Sequence, residues 1–138
     1  MNILLVDDDE ALMQFMTQAV KARGHELIYT ALSAEDALAQ VVLRDYHLIT
    51  LDIQMPGASG LDILPLLRNM CPHAVIAIIS GHIPEDTIES MAECADVVMD
   101  KPILLEKFFD LLDTATQIAA HLDRVREMGR ALVSVRES

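Results

Sequence analysis

The chain predicts an α/β fold, a doubly wound sheet of five parallel strands, and three observations carry that expectation. Apolar runs alternate five times with segments of helical periodicity, the links between them are short, and the apolar runs tend to end on an acid, a serine or a lysine. Val/Ile/Leu-rich runs bounded by turn residues suit strands buried on both faces. Strand–helix alternation with brief links is the pattern of parallel strands joined by right-handed crossovers. Such a sheet brings its carboxyl ends to one edge, where the chemistry of open α/β sheets gathers.

Each element has its own signal. Ile3-Leu4-Leu5-Val6 is a short strand that runs into Asp7-Asp8-Asp9-Glu10. Leu12, Phe15, Met16, Ala19 and Val20 mark a helix ending near Gly24, and Asp9 and Glu10 suit its first turn. Asp7 and Asp8 lie nearer the strand end, where adjacent carboxylates repel unless a cation or proton intervenes. Glu26 to Tyr29 reads as a second strand, and Ser33 with Asp36 resembles a capping box for a helix through Leu43. The third strand ends at Asp52 and turns at once into Gln54-Met55-Pro56-Gly57. Ser59 and Asp62 repeat the cap spacing before a helix that Pro65 should kink or shorten, because proline has no backbone donor. Ala74 to Ile79 is the most apolar run, a central strand ending on Ser80-Gly81. A helix from about Pro84 to Glu93 precedes the strand Asp96 to Met99, which leads into Asp100-Lys101-Pro102.

Composition limits the function classes. A chain of 138 residues, 52% hydrophobic, can fill one core without disulfides or structural metal. Cys71 and Cys94 lack CxxC spacing and clustered ligand neighbours, so both are expected as free thiols. No run approaches the roughly 18 apolar residues of a membrane span and no signal peptide is evident, so a cytoplasmic protein without membrane contact is expected. The net charge of −12 speaks against direct nucleic acid binding, which needs a basic face. That charge is uneven: residues 1–117 hold 6 Lys or Arg against 19 Asp or Glu, and residues 118–138 hold 4 against 3.

Asp7, Asp8, Asp52, Ser80 and Lys101 should therefore converge at one sheet edge. All-oxygen carboxylate ligands suit a hard octahedral cation such as Mg²⁺. A lysine and a hydroxyl opposite could hold the oxygens of an anion, and one carboxylate could act as nucleophile toward a phosphoryl group. Taken one at a time, the same residues could serve as a salt bridge, a turn and a helix start.

In order and spacing, Ile3-Leu4-Leu5-Val6-Asp7-Asp8-Asp9-Glu10, Leu51-Asp52-Ile53-Gln54-Met55-Pro56-Gly57 with Gly60-Leu61-Asp62, Ile78-Ile79-Ser80 and Asp100-Lys101-Pro102 resemble the response-regulator receiver domain of two-component signalling. The resemblance covers roughly residues 1–117. It implies a flavodoxin-like sheet of order 2-1-3-4-5, with Asp52 as the phosphoacceptor. Asp7, Asp8, Asp52 and the backbone carbonyl of Gln54 would hold Mg²⁺, while Lys101 and Ser80 would contact phosphoryl oxygens. The implied donor is a phosphohistidine of a sensor histidine kinase or histidine phosphotransfer protein. Such a domain catalyses its own phosphorylation and dephosphorylation, without turnover of a separate substrate. Gln54 and His82 stand where the family varies the rate of water attack. The family usually carries an aromatic residue three places before the lysine, next to the Ser80 switch; here that position is Val98, which leaves signal output to backbone movement after Ser80 or to helix packing, or leaves Val98 as a core residue.

The alternatives differ in the residues they need. A degenerate receiver working as a phosphorylation-independent protein-binding module would lack part of the acid, hydroxyl and lysine set, which this chain retains. A haloacid-dehalogenase-type phosphatase needs an acid two places after its nucleophile, and Gln54 occupies that place. A flavin-binding relative wants stacking aromatics, and Tyr and Phe total five with no Trp.

Phe108, Leu111, Ala115, Ile118, Leu122, Val125, Gly129 and Leu132 form a heptad-like stripe, with Arg124, Arg126 and Arg130 on other faces. The expected division is a receiver domain over 1–118 and a helical extension over 119–138, serving as a dimerisation segment or a linker to an output domain beyond Ser138. The chain would be a stand-alone receiver or the amino-terminal piece of something longer.

Overall fold

A computed structural model describes residues 1–57 and 59–137, with side-chain surroundings through residue 130. Strands β1 (Ile3–Val6), β2 (Ile28–Ala31), β3 (Leu48–Leu51), β4 (Val75–Ser80) and β5 (Val97–Asp100) alternate with helices α1 (Glu10–Ala22), α2 (Ala34–Leu43), α3 (Gly60–Met70), α4 (Ile88–Cys94) and α5 (Leu105–Glu137). The strands form one parallel sheet of order β2-β1-β3-β4-β5. β1 connects outward to β2 and the chain then crosses back to β3, so the strand order reverses at the β1/β3 boundary. That reversal opens a crevice at the carboxyl edge.

Strand side chains alternate between two cores, as the two-residue period of a pleat requires. Leu4, Val6, Ile49, Leu51, Ile76 and Ile78 pack with α2, α3 and Met91 of α4 on one face. Ile3, Leu5, Leu48 and Ile79 pack with Met13, Met16 and Val20 of α1 and Phe108 and Leu112 of α5 on the other. The inner strands are therefore covered twice, which explains why β1 and β4 read as apolar runs, whereas edge strands β2 and β5 are only partly buried.

Several elements depart from the sequence expectation. β2 starts two residues later than the Glu26–Tyr29 run because pairing with β1 sets its register, Ile3 opposite Ile28 and Val6 opposite Ala31; Leu27 is left 51% exposed. The helix expected from Pro84 begins as a single 3-10 turn, Glu85–Thr87, because the Thr87 amide and hydroxyl both donate to the Pro84 carbonyl and tighten it. Pro65 does not shorten α3: it lies on the exposed side, while Leu64 and Leu67 beside it are buried and hold the helix to the sheet. α1 docks through Met13 where Phe15 was expected, and Phe15 is exposed.

The α5 stripe is also rotated. Its docked positions are Phe108, Leu112, Ala115 and Ala119, spaced by three and four residues, whereas Ile118 is 41% exposed and Leu111 only half-buried. Beyond Ala119 the helix continues past the sheet to Glu137, and its 33 residues correspond to about 50 Å at 1.5 Å rise per residue. The side chain of Leu132 lies outside the described residues. Among the described residues no helix is long and apolar enough to cross a membrane.

Candidate phosphoacceptor site

Four strand ends build the site: Ser80 is the last residue of β4, and the residues just past β1, β3 and β5 are each tied by a backbone bond. The Asp7 amide donates to the Ala31 carbonyl at 3.1 Å, the Asp52 amide to Val6 at 3.0 Å and the Lys101 amide to Ser80 at 3.0 Å. The side chains that follow are thus placed by sheet register. Asp7 is fixed further by its own turn, because its Oδ1 accepts from the Asp9 amide at 2.9 Å, while Asp9 caps α1 by accepting from the Leu12 amide at 3.1 Å. Of the four acids at the end of β1, only Asp7 is turned inward and buried.

Asp52 is the hub. Its carboxylate is 4% exposed and accepts at both oxygens: Oδ1 from the Ser80 hydroxyl at 3.1 Å and the Gln54 amide at 3.0 Å, Oδ2 from Lys101 Nζ at 3.3 Å. Lys101 Nζ also donates to Asp7 Oδ2 at 2.8 Å, so one ammonium bridges two buried carboxylates. Ser80 is fully buried and its hydroxyl is shared with the His82 carbonyl at 3.3 Å. Burial pushes the Asp7 carboxyl above its ordinary range; the Lys101 bond and the Asp9 amide pull the other way, and the nearby Asp52 charge adds to the rise. For Lys101, burial works to depress the pKa, but the bond to Asp7 and the charges of Asp7 and Asp52 outweigh it and hold the ammonium above its usual value.

Asp7, Asp8 and Asp52 each offer a carboxylate oxygen, and these oxygens lie within 4.8 Å of one another. Asp8 is exposed, which leaves the cluster open to solvent on one side. Three hard oxygen donors and an open face fit a small divalent cation that keeps several waters. The donor set contains no nitrogen or sulfur to favour a softer metal.

A family model described as the response regulator receiver domain matches residues 3–113. The chain belongs to that family. It is 31% identical over 123 residues to the transcriptional regulatory protein YvrH of Bacillus subtilis, covering 89% of this chain and 49% of that one. It is 36% identical over 103 residues to the cell cycle transcriptional regulator CtrA of Caulobacter vibrioides, covering 74% and 44%. The chain thus spans about half the length of these curated relatives. Among solved structures, the response regulator TrrA of Thermotoga maritima, in complex with Mg(2+)-BeF, superposes with a TM-score of 0.73 at 26% identity, covering 83% of this chain and 99% of that one.

The receiver domain brings Asp7, Asp8, Asp52, Ser80 and Lys101 together as their order in sequence implied. Gln54 enters through its backbone, its side chain being exposed, as is His82. Val98 stands apart. It is not a core residue: it is 38% exposed on edge strand β5, opposite Ile78, and lines an open groove of about 1130 Å³ with Leu104, Leu111 and Ile118. Cys71 is buried and Cys94 half-buried, both as free thiols. Sequence reasoning missed the Lys101–Asp7 pair, because nothing local shows which of three acids a lysine ninety residues away will choose. It also missed what Ser59 and Gly60 touch beyond their own helix.

Proposed function

We propose that Asp52 accepts a phosphoryl group from a phosphohistidine of a sensor histidine kinase or histidine phosphotransfer protein, and that the charge or shape change is passed to a partner or output domain. The observation that supports this most directly is the Asp52 carboxylate, buried, held at both oxygens by Ser80 and Lys101 and flanked by two further acids. In the reaction an Asp52 oxygen forms the new P–O bond as the P–N bond to imidazole breaks, and the imidazole leaves with the bonding pair. Asp7, Asp8, Asp52 and the Gln54 carbonyl would hold Mg²⁺, in keeping with the donor set and with the ion in the Thermotoga maritima relative. The ion would neutralise charge on the transferring group. Lys101 would turn from Asp52 to a phosphoryl oxygen, and the Ser80 hydroxyl would follow on the other side. Because Ser80 also bonds the His82 carbonyl, its movement would pull on the chain after β4; Val98 supplies no aromatic ring to report the change.

This reading takes residues 1–118 as a cytoplasmic receiver domain and 119–138 as its helical extension. Incubation with acetyl phosphate and Mg²⁺ should label the protein, and Asp52→Asn should abolish the label; undiminished labelling of that variant would sink the assignment. A homodimer through α5 is a second proposal, favoured by Ile118, Val125 and Met128, which are 41%, 63% and 65% exposed on the extending helix. Sedimentation should show self-association at high micromolar concentration. A monomer with and without a phosphoryl analogue would remove this proposal.

A further inference from the structure

We propose that Ser59 and Gly60 are positioning residues for the phosphoacceptor: together they clamp the Asp52–Gln54 backbone onto the amino end of α3 and so set the geometry of the cation site. The inference rests on the Mg²⁺-dependent reading above and adds two residues to it. Neither hydrogen-bonds the carboxylates of Asp7, Asp8 or Asp52, and both act through the backbone that carries Asp52.

Gly60 is the first residue of α3 and is buried. A Cβ built on it would lie 2.4 Å from the Asp52 carbonyl oxygen and 2.7 Å from the Ile53 Cα. Any side chain there would push against backbone, which has no rotamer to yield. The glycine is needed for space, since its φ is not in the positive region; the positive φ in this loop belongs to Gly57, at 82°, which helps turn the chain back over the end of β3. α3 is thereby seated directly on the peptide that follows the Asp52 α-carbon.

Ser59 closes the clamp from the other side. Its hydroxyl donates to the Ile53 carbonyl at 3.0 Å and accepts from the Leu61 amide at 3.1 Å, so one group both caps α3 and holds the loop. The Asp62 carboxylate accepts from the Ser59 amide at 3.2 Å, completing a capping box that stops Ser59 from drifting. Ile53 is 4% exposed, and the next amide, that of Gln54, donates to Asp52 Oδ1. The hydroxyl bond thus fixes the peptide carbonyl immediately before Gln54, whose own carbonyl is a proposed ligand. An ordinary N-cap needs only an acceptor; the donor half of this serine is committed to the loop.

The test separates capping from positioning. Ser59→Thr keeps donor and acceptor, Ser59→Ala loses both, and Ser33→Ala removes a comparable cap, from the Asp36 amide at 3.1 Å on α2, as a control for stability alone. Mg²⁺ binding to each unphosphorylated 138-residue protein is titrated calorimetrically with MgCl₂. Ser59→Ala is expected to weaken binding about tenfold, the scale on which groups that orient metal ligands act. Ser59→Thr and Ser33→Ala should stay close to the parent. Gly60→Ala should lose at least as much as Ser59→Ala, and if it does not fold the serine pair still decides. Parent-like affinity in Ser59→Ala overturns the proposal, and so does an equal loss in Ser33→Ala. In either case a parent protein that binds Mg²⁺ and is labelled on Asp52 leaves the functional reading standing; a parent that binds no Mg²⁺ removes both.

Discussion

Replacing Lys101 by methionine tests the electrostatics of the site most directly. Lys101 Nζ sits 2.8 Å from Asp7 and 3.3 Å from Asp52, both carboxylates at most 5% exposed, while its own side chain is 23% exposed. Methionine keeps the apolar stem and deletes the charge, leaving two buried acids facing each other. Removing one partner of a fully buried pair costs about 3–5 kcal/mol, and the partial exposure of Lys101 reduces this. A second limit comes from protonation. Asp7 already binds its proton more tightly than usual, and neutralising a carboxyl of ordinary pKa near 3.9 at pH 7 costs about 4 kcal/mol, so the strain cannot exceed that relief. The expected loss is therefore about 2–3 kcal/mol in metal-free buffer, read from urea denaturation with EDTA. Mg²⁺ should narrow the gap, because a divalent ion would take over the neutralising role and the variant, with no ammonium competing for Asp7, should bind it more tightly. A tenfold lower dissociation constant in Lys101→Met would close about 1.4 kcal/mol of the gap at saturating Mg²⁺. Two results would refute this account: equal urea midpoints for the two proteins in EDTA, or a gap that saturating Mg²⁺ leaves unchanged.

Other substitutions examine the frame around the site. The Arg68 guanidinium donates to the carbonyls of Cys71, Pro72, Ala74 and Cys94 and to the Asp96 carboxylate, joining the end of α3 to the start of β5. Arg68→Ala should cost about 1–3 kcal/mol in urea denaturation because partly buried carbonyls lose their donor, and Arg68→Lys should recover only part, lacking the planar fork. His47 accepts from the Asn2 amide through Nδ1 at 2.9 Å, and burial, then the nearby amino terminus, lowers its pKa. A depressed pKa means the unfolded chain binds the proton more readily, so this histidine's contribution is complete above about pH 6.5 and is lost as the pH falls through the folded value. His25 shifts the same way, again through burial first. Thermal midpoints should thus decline below pH 6.5. His47→Asn, which offers the amide an acceptor that does not titrate, should flatten the decline, and an unaltered slope would show that His47 is not its source.

The outline of the fold was legible in the sequence because both of its periodicities are local. Ile3–Val6 and Val75–Ser80 are apolar throughout, as strands covered on both faces must be, and Ser33 and Ser59 announce the helices they cap. Element ends were less legible. β2 slid by two residues because its limits follow from pairing with β1, a partner some twenty-five residues away. α1 buries Met13 and exposes Phe15 because the docked face of a helix depends on the neighbour it meets.

The site divides in the same way. Which residues are candidates for the chemistry was set by local sequence: an acid, hydroxyl or lysine placed where an apolar run stops, in an order that a parallel sheet must gather along one edge. Asp52 could be singled out on that basis. How those residues meet was decided only by tertiary structure. Lys101 bridges Asp7 and Asp52, Ser80 donates to Asp52 Oδ1, and α3 is seated on the Asp52 peptide through a glycine and a serine that sequence alone presents as a helix start. Val98 shows the limit most plainly, since its place three residues before Lys101 names a position in the family pattern, while its exposure follows from β5 being an edge strand. Periodicity and capping act over a few residues and are written in neighbouring side chains. Pairing, burial and charge compensation act across distances that chain order does not encode.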